Sequence, residues 1–200
     1  MLISLSGIEG AGKSTLAAGL CERLSEDGHH AVVLKLRMFN NPAYHHFEPL
    51  FDHGAGVEDP RVPRLQSWLI TTETVRFVRE DVWPQVLAGT IVIADRYADS
   101  VSPYLAAAGL PCADSEDVLS GLPAPTVACH LKISTASSVQ RRKRIGEQVT
   151  AAETTFLDRL GAALAEKARH NGGLVLDAEK APGTLLDDVY AELRPLLSKN

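Results

Sequence analysis

Gly7-Ile8-Glu9-Gly10-Ala11-Gly12-Lys13-Ser14 is the stretch that decides the fold. Two glycines enclose four residues and are followed by a lysine and a hydroxyl side chain, the G-x-x-x-x-G-K-[ST] pattern. Upstream, residues 2–6 (LISLS) are short and apolar and read as a buried strand. Downstream, Leu16, Leu20 and Leu24 recur at a helical period, and Gly28 ends the pattern. A strand, a glycine loop and a helix in this order cradle phosphate. Glycines let backbone N–H groups turn inward, and the helix opening near Lys13 adds the positive end of its dipole. The Lys13 ammonium is a point charge for the β- and γ-phosphates, and the Ser14 hydroxyl suits a Mg²⁺ ion.

Further strands are expected at 31–36 (AVVLKL), 90–94 (TIVIA), 126–133 (TVACHLKI) and 173–177 (GLVLD). The third is almost wholly apolar, as a central parallel strand is. Between them the spacing predicts a long helix over 64–88, with Pro84 near its end and Gly89 as its stop. It also predicts helical turns over 97–109 interrupted by Pro103, a short helix at 114–121 and a basic helix at 135–145. Phe156, Leu157, Leu160, Leu164 and Ala168 form one stripe of a helix over 151–169, and a last helix covers 183–197. Residues 37–63, rich in Pro, Gly, His and Asn, read as loop with one short helix near 43–51. Strands alternating with helices give an α/β fold: a three-layer P-loop NTPase with a five-stranded parallel sheet flanked by helices, joined by right-handed crossovers.

The chain has 200 residues, 45% of them hydrophobic and 22% charged, with net charge −5. That is one domain, residues 1–200, large enough for its own core. The three cysteines, Cys21, Cys112 and Cys129, are odd in number and widely spaced, so neither a disulfide framework nor a zinc ribbon is expected and a reducing cytoplasm fits. No apolar run approaches a membrane span, and the opening MLISLSGIEG has no basic stretch of a signal peptide. Mild acidity argues against nucleic acid as a partner. No N-K-x-D for guanine is present, nor a nucleophile elbow for Ser-His-Asp chemistry. His45, His46 and His53 lack companions that would complete a metal site, so they read as loop histidines. Gly54-Ala55-Gly56 in its proline-bounded loop reads as a mobile point.

The chain resembles the thymidylate kinase family and its nucleoside-monophosphate kinase relatives over nearly its whole length. The opening S-G-I-E-G-A-G-K-S-T-L (residues 6–16) carries the resemblance, with Asp95-Arg96-Tyr97-x-x-Ser100 similar to the family's D-R-Y/H-x-x-S. Tyr104 stands where the family has A-Y-Q, Arg37 resembles the arginine of R-E-P or R-F-P, and Pro125 and Asp177-Ala178 also match in place. The resemblance implies a kinase using ATP and Mg²⁺ on a small nucleotide, dTMP by default, and a homodimer joined through the helices around 64–88. It implies Lys13, Arg96, Arg141, Glu9 and Asp95 as the catalytic set. ATP would meet Gly7, Gly10, Ala11, Gly12, Lys13, Ser14, Thr15, Arg141 and Ala178, and Mg²⁺ would meet Ser14 and Asp95, directly or through water. The acceptor would meet Glu9, Arg37, Ile70, Thr74, Arg96, Ser100 and Tyr104. Arg141-Arg142-Lys143-Arg144 falls in the family's lid, here about 137–152, and with glycine at position 10 the lid must supply the catalytic charge.

Three departures touch the acceptor. The base-reading arginine of the long helix and the phenylalanine four residues before it are replaced by Thr74 and Ile70, with Arg76 and Trp68 as alternative readers. The glutamine of A-Y-Q is Leu105. The lid is about two residues short, and Val149-Thr150 stands near its D-R pair. These leave two alternatives: a kinase of a deoxynucleoside or modified nucleotide, and a nucleotide-binding homologue without turnover.

Overall fold

Five strands, β1 (Leu2–Ser6), β2 (Ala31–Lys35), β3 (Ile91–Asp95), β4 (Val127–Lys132) and β5 (Leu174–Asp177), pair in the order β2-β3-β1-β4-β5, every pair parallel. The structure, a computed structural model, describes residues 1–39, 42–51 and 61–198. His53 and Gly54-Ala55-Gly56 lie outside the described residues.

Alternation along the strands feeds both faces of the sheet. Ile3 and Leu5 of β1 and Ile91 and Ile93 of β3 join Leu16, Leu20 and Leu24 of α1 (Lys13–Glu26) and Val189 and Leu193 of α9 (Pro182–Leu197). On the opposite face, Leu2, Val92 and Ala94 pack with Ile70 of α3 (Arg61–Arg76), Phe77, and Val101 and Leu105 of α5 (Val101–Ala107). A smaller cluster places Leu157, Leu160 and Leu164 of α8 (Ala151–His170) over Ile8 of the glycine loop. Shorter helices complete the layers: α2 (Pro42–Phe51), α4 (Trp83–Leu87), α6 (Ala113–Ser120) and α7 (Thr135–Arg144). None of the described helices is long and apolar enough to cross a membrane.

The long helix expected over 64–88 differs in its start and in its winding. It starts at Arg61, and residues Phe77–Val82 are wound as π-helix between α3 and α4. Pro84 accounts for this. A proline in a helix has no N–H to give and its ring crowds the carbonyl four residues back. Widening the coil just before it relieves that crowding.

All five strands point their C-terminal ends at one rim. Ser6, Lys35 and Asp95 lie there, and the loops after β1, β2 and β3 open onto it, the usual ligand position of an open parallel sheet.

Candidate active site

At that rim lies a cavity of about 860 Å³, within the range that holds a nucleotide-sized ligand. Its floor is the glycine loop. Gly10 and Gly12 take positive φ, 75° and 93°, and Gly12 caps α1, so the helix starts directly at Lys13. Gly7 (φ 145°) allows the loop to turn beneath β4: a Cβ there would meet the Leu131 carbonyl at 2.8 Å. Gly7 is not on the cavity wall, whereas Gly10, Ala11, Gly12, Lys13, Ser14 and Thr15 are.

Lys13 is buried, and its Nζ donates to the carbonyls of Gly7 at 2.9 Å and Ile8 at 2.8 Å. Burial, reinforced by the nearby Arg96 cation, lowers its pKa to about 8. Ser14 Oγ donates to Asp95 Oδ2 at 2.8 Å. Asp95 ends β3, almost fully buried, and its Oδ1 has no hydrogen-bond partner among the described residues. A hydroxyl beside a buried carboxylate with a free oxygen is a hard-oxygen pair, the donor chemistry that Mg²⁺ takes. Elsewhere among the described residues, no three His, Cys, Asp or Glu side chains gather as a metal set.

Arg96 follows Asp95 in a left-handed conformation, φ 70°, which an arginine adopts only under constraint from its surroundings. The twist turns its guanidinium into the cavity, where Nη2 pairs with Glu9 of the loop. Its Nη1 is buried with no partner among the described residues. A guanidinium on the wall of a nucleotide-sized cavity, with one nitrogen unpaired, suits an anion. Arg37 and Tyr104 line the same wall.

The basic helix α7 docks on the loop from the other side. Ser134 caps it, accepting from the Ser137 N–H at 3.1 Å. Ser138 Oγ donates to the Glu9 carbonyl at 2.6 Å, and Arg141 donates to the carbonyls of Gly10 at 3.3 Å and Ala178 at 2.7 Å. Gly10 permits this closeness, since a Cβ there would sit 3.0 Å from the Ser138 carbonyl. Of the four consecutive cations, Arg141 and Arg142 reach the cavity. Arg142 is held by Glu147 at 2.6 Å and Glu153 at 3.3 Å.

Three expected acceptor residues are placed elsewhere. Ile70 is fully buried in the core with Leu36, Phe77 and Tyr97. Thr74 is fully buried, and its hydroxyl donates back to the Ile70 carbonyl at 2.9 Å. Ser100 is buried and donates to the Tyr97 carbonyl at 2.7 Å. None of the three lines the cavity. The alternative readers fare no better. Arg76 is taken by Glu73 at 2.8 Å, Asp81 at 3.1 Å and Glu80 at 3.3 Å, and Trp68 lies on the exposed side of α3 outside the cavity.

Several lining residues escaped the sequence reading, among them Lys35 and Phe39 on the stretch that leaves β2, and Glu147 and Lys180. The sequence alone does not set Lys35 and Phe39 apart; in the structure Leu36 and Met38 are buried, while Lys35, Arg37 and Phe39 are exposed.

The thymidylate kinase family model matches residues 5–189. A probable thymidylate kinase of Pyrobaculum calidifontis is 28% identical over 191 residues, covering 96% of this chain and 94% of the relative. A thymidylate kinase of Caulobacter vibrioides is 30% identical over 186 residues, 88% of each chain, and one of Cereibacter sphaeroides is 27% identical over 210 residues, 98% of this chain and 95% of its own. With a nucleotide-sized cavity built on the loop and the D-R-Y turn, and a family match over nearly its whole length, the chain belongs to the thymidylate kinase family.

Proposed function

We propose that the protein transfers the γ-phosphoryl group of ATP to a nucleoside monophosphate, with dTMP as the first acceptor to test. The observation that carries this reading is the joining of two phosphate sites in one cavity: Lys13 and Ser14 on one side, Arg37 and Arg96 on the other. An in-line transfer needs donor and acceptor phosphates brought end to end, and little covalent help from the protein.

In this reading an oxygen of the acceptor phosphate attacks the γ-phosphorus. The bond from that phosphorus to the β,γ-bridging oxygen breaks, and ADP leaves. Lys13 gives up the two loop carbonyls and turns its ammonium to the β- and γ-phosphates. Arg141, already on the loop, adds positive charge from the lid, the segment of about 137–152. Arg96 and Arg37 hold the acceptor phosphate, and Glu9 keeps the Arg96 fork in plane. Ser14 and Asp95 would hold Mg²⁺, which when bound neutralises charge on the β- and γ-oxygens. ATP would lie from the loop toward Ala178, whose carbonyl Arg141 already orients. We place the protein in the cytoplasm as a homodimer joined through the helices around 64–88, with no nucleic-acid partner.

One observation favours a second reading of the acceptor. Ile70 and Thr74 are buried, Arg76 is paired, and among the described residues none of α3 lines the cavity, so the base lacks an arginine from α3 at its edge. A different nucleotide, or a deoxynucleoside, is the competing acceptor. The test is an end-point assay with Mg-ATP against nucleosides and nucleoside monophosphates, with Lys13→Ala as the blank. Conversion of dTMP supports the proposal. Conversion of nucleosides alone moves the assignment to a nucleoside kinase, and no conversion across the panel leaves a nucleotide-binding homologue.

A further inference from the structure

The chain leaves β2 as Lys35-Leu36-Arg37-Met38-Phe39, and burial alternates along it. Leu36 and Met38 are buried in the core that also holds Ile70. Lys35, Arg37 and Phe39 alternate with them and are exposed, and the whole stretch from Lys35 to Phe39 lines the cavity. Arg37 is accounted for by the acceptor phosphate. Its two neighbours are not.

Lys35 is placed by register. It sits opposite Asp95 on the neighbouring parallel strand, and its Nζ lies 3.6 Å from Asp95 Oδ2. That oxygen already accepts from Ser14. Half the Lys35 side chain is exposed, so the ammonium is tethered to the carboxylate at the cavity floor and remains free to meet a second anion. At the other end, Phe39 is an apolar ring left 37% exposed. It is held in place by Tyr44, at 4.9 Å between ring centres, and by Tyr104 at 5.6 Å, and Phe156 braces Tyr104 at 5.4 Å. A ring held by two others and open to a cavity is a preformed surface for another flat ring.

We infer that Lys35, Arg37 and Phe39 form the acceptor ladder of this enzyme: the two cations grip the acceptor's phosphate and Phe39 stacks on its base. A nucleoside monophosphate carries its charge at one end and its flat ring at the other, with a sugar between. The ladder has the same order, two cations followed by a ring. Stacking reads the face of a base, which every base has, and is blind to the edge. The substrate class is therefore a nucleoside monophosphate recognised by phosphate and ring face, so acceptors differing only at the base edge are accepted alike. This rests on the kinase reading above for its reaction, but not for its binding.

The test is equilibrium binding of dTMP, dUMP and dCMP by calorimetry, run beside the transfer assay. Phe39→Ala is expected to weaken all three at least tenfold, by factors within threefold of one another, while Phe39→Trp restores binding to within threefold of the starting protein. Lys35→Met is expected to weaken all three at least tenfold. ATP affinity, read separately, stays within threefold in both Phe39 variants, and the far-ultraviolet circular dichroism of Lys35→Met matches that of the unaltered protein, which shows that each has folded. The ladder is overturned if Phe39→Ala or Lys35→Met binds dTMP within threefold of the unaltered protein, or if the unaltered protein binds none of the three. Discrimination of more than a hundredfold among the three by the unaltered protein overturns the edge-blind class. If dTMP binds through Phe39 and Lys35 but is never phosphorylated, the ladder stands and the kinase proposal fails.

Discussion

Lys13 carries a charge into a place with little water, and this sets a measurable opposition between function and stability. Folded, its ammonium titrates near 8; unfolded, at the ordinary 10.5. Between those values the unfolded chain binds more protons, so this group makes stability rise with pH across that window and weakens the fold below it. Lys13→Met is therefore expected to raise the thermal midpoint at pH 7, with the gain over the unaltered protein shrinking toward pH 10, and to lower transfer by ~10³ or more. Thermal melts of both proteins at the two pH values, beside a transfer assay, check this; a lower midpoint at pH 7 refutes it. His130 in β4 gives the acid counterpart. It is buried, with Nδ1 3.2 Å from Ser6 Oγ. Burial, with the Lys13 and Lys132 charges, lowers its pKa from 6.5 to about 4. The unfolded chain takes up the proton first, so stability falls as pH drops from 6.5 toward 4. His130→Gln should flatten that limb, seen as urea midpoints that change less between pH 6.5 and pH 4.5 than those of the unaltered protein.

At the scale of elements, the lid helix α7 and its successor α8 are fixed by caps and by one glycine. Thr150 and Glu153 form a reciprocal capping box at the start of α8, with Thr150 Oγ1 accepting from the Glu153 N–H at 3.1 Å and Glu153 accepting from the Thr150 N–H at 2.9 Å. Thr150→Ala should cost ~1 kcal/mol of stability, read by urea unfolding, and leave ATP affinity in place. Gly10 governs α7 more directly. Its left-handed φ and the 3.0 Å approach of the Ser138 carbonyl leave no room for a side chain. Gly10→Ala should push α7 off the loop, take Arg141 with it, and lower kcat at least tenfold; unchanged kcat would show that the lid does not depend on this contact. Much of this level was legible beforehand. Apolar runs such as TIVIA and the stop at Gly89 located the elements, and the glycine-lysine-serine spacing located the donor half of the cavity, because loop geometry there is dictated by local residue types. The opposite wall was less legible. The resemblance assigned Ile70 and Thr74 to the site, but both side chains are fully buried and neither lines the cavity. Lys35 and Phe39 look in sequence like an edge-strand lysine and a loop aromatic. Only the register opposite Asp95 and the stack with Tyr104 give them a direction.

At the scale of the whole molecule, we propose that the homodimer pairs along residues 61–87. Trp68, Trp83 and Leu87 remain exposed there, Leu87 at 72%. Tryptophan is enriched among the residues central to protein contacts. Between the two tryptophans, Arg76 with Glu73, Glu80 and Asp81 forms a charged patch of both signs, which a two-fold axis can pair with itself. The cavity opens at the strand ends instead, lined by Lys13, Arg37, Phe39 and Arg96, none of which belongs to this segment, so a pairing along the segment leaves the active site open. Light scattering on the unaltered protein should give twice the 21.5 kDa chain mass. Trp68→Glu combined with Leu87→Glu should give the single mass, because placing four carboxylates in a two-fold contact makes them face one another without water to separate them. A double variant that stays at twice the mass moves the interface off this segment; one that becomes single while still binding ATP with unchanged affinity shows that each chain builds its own phosphate loop.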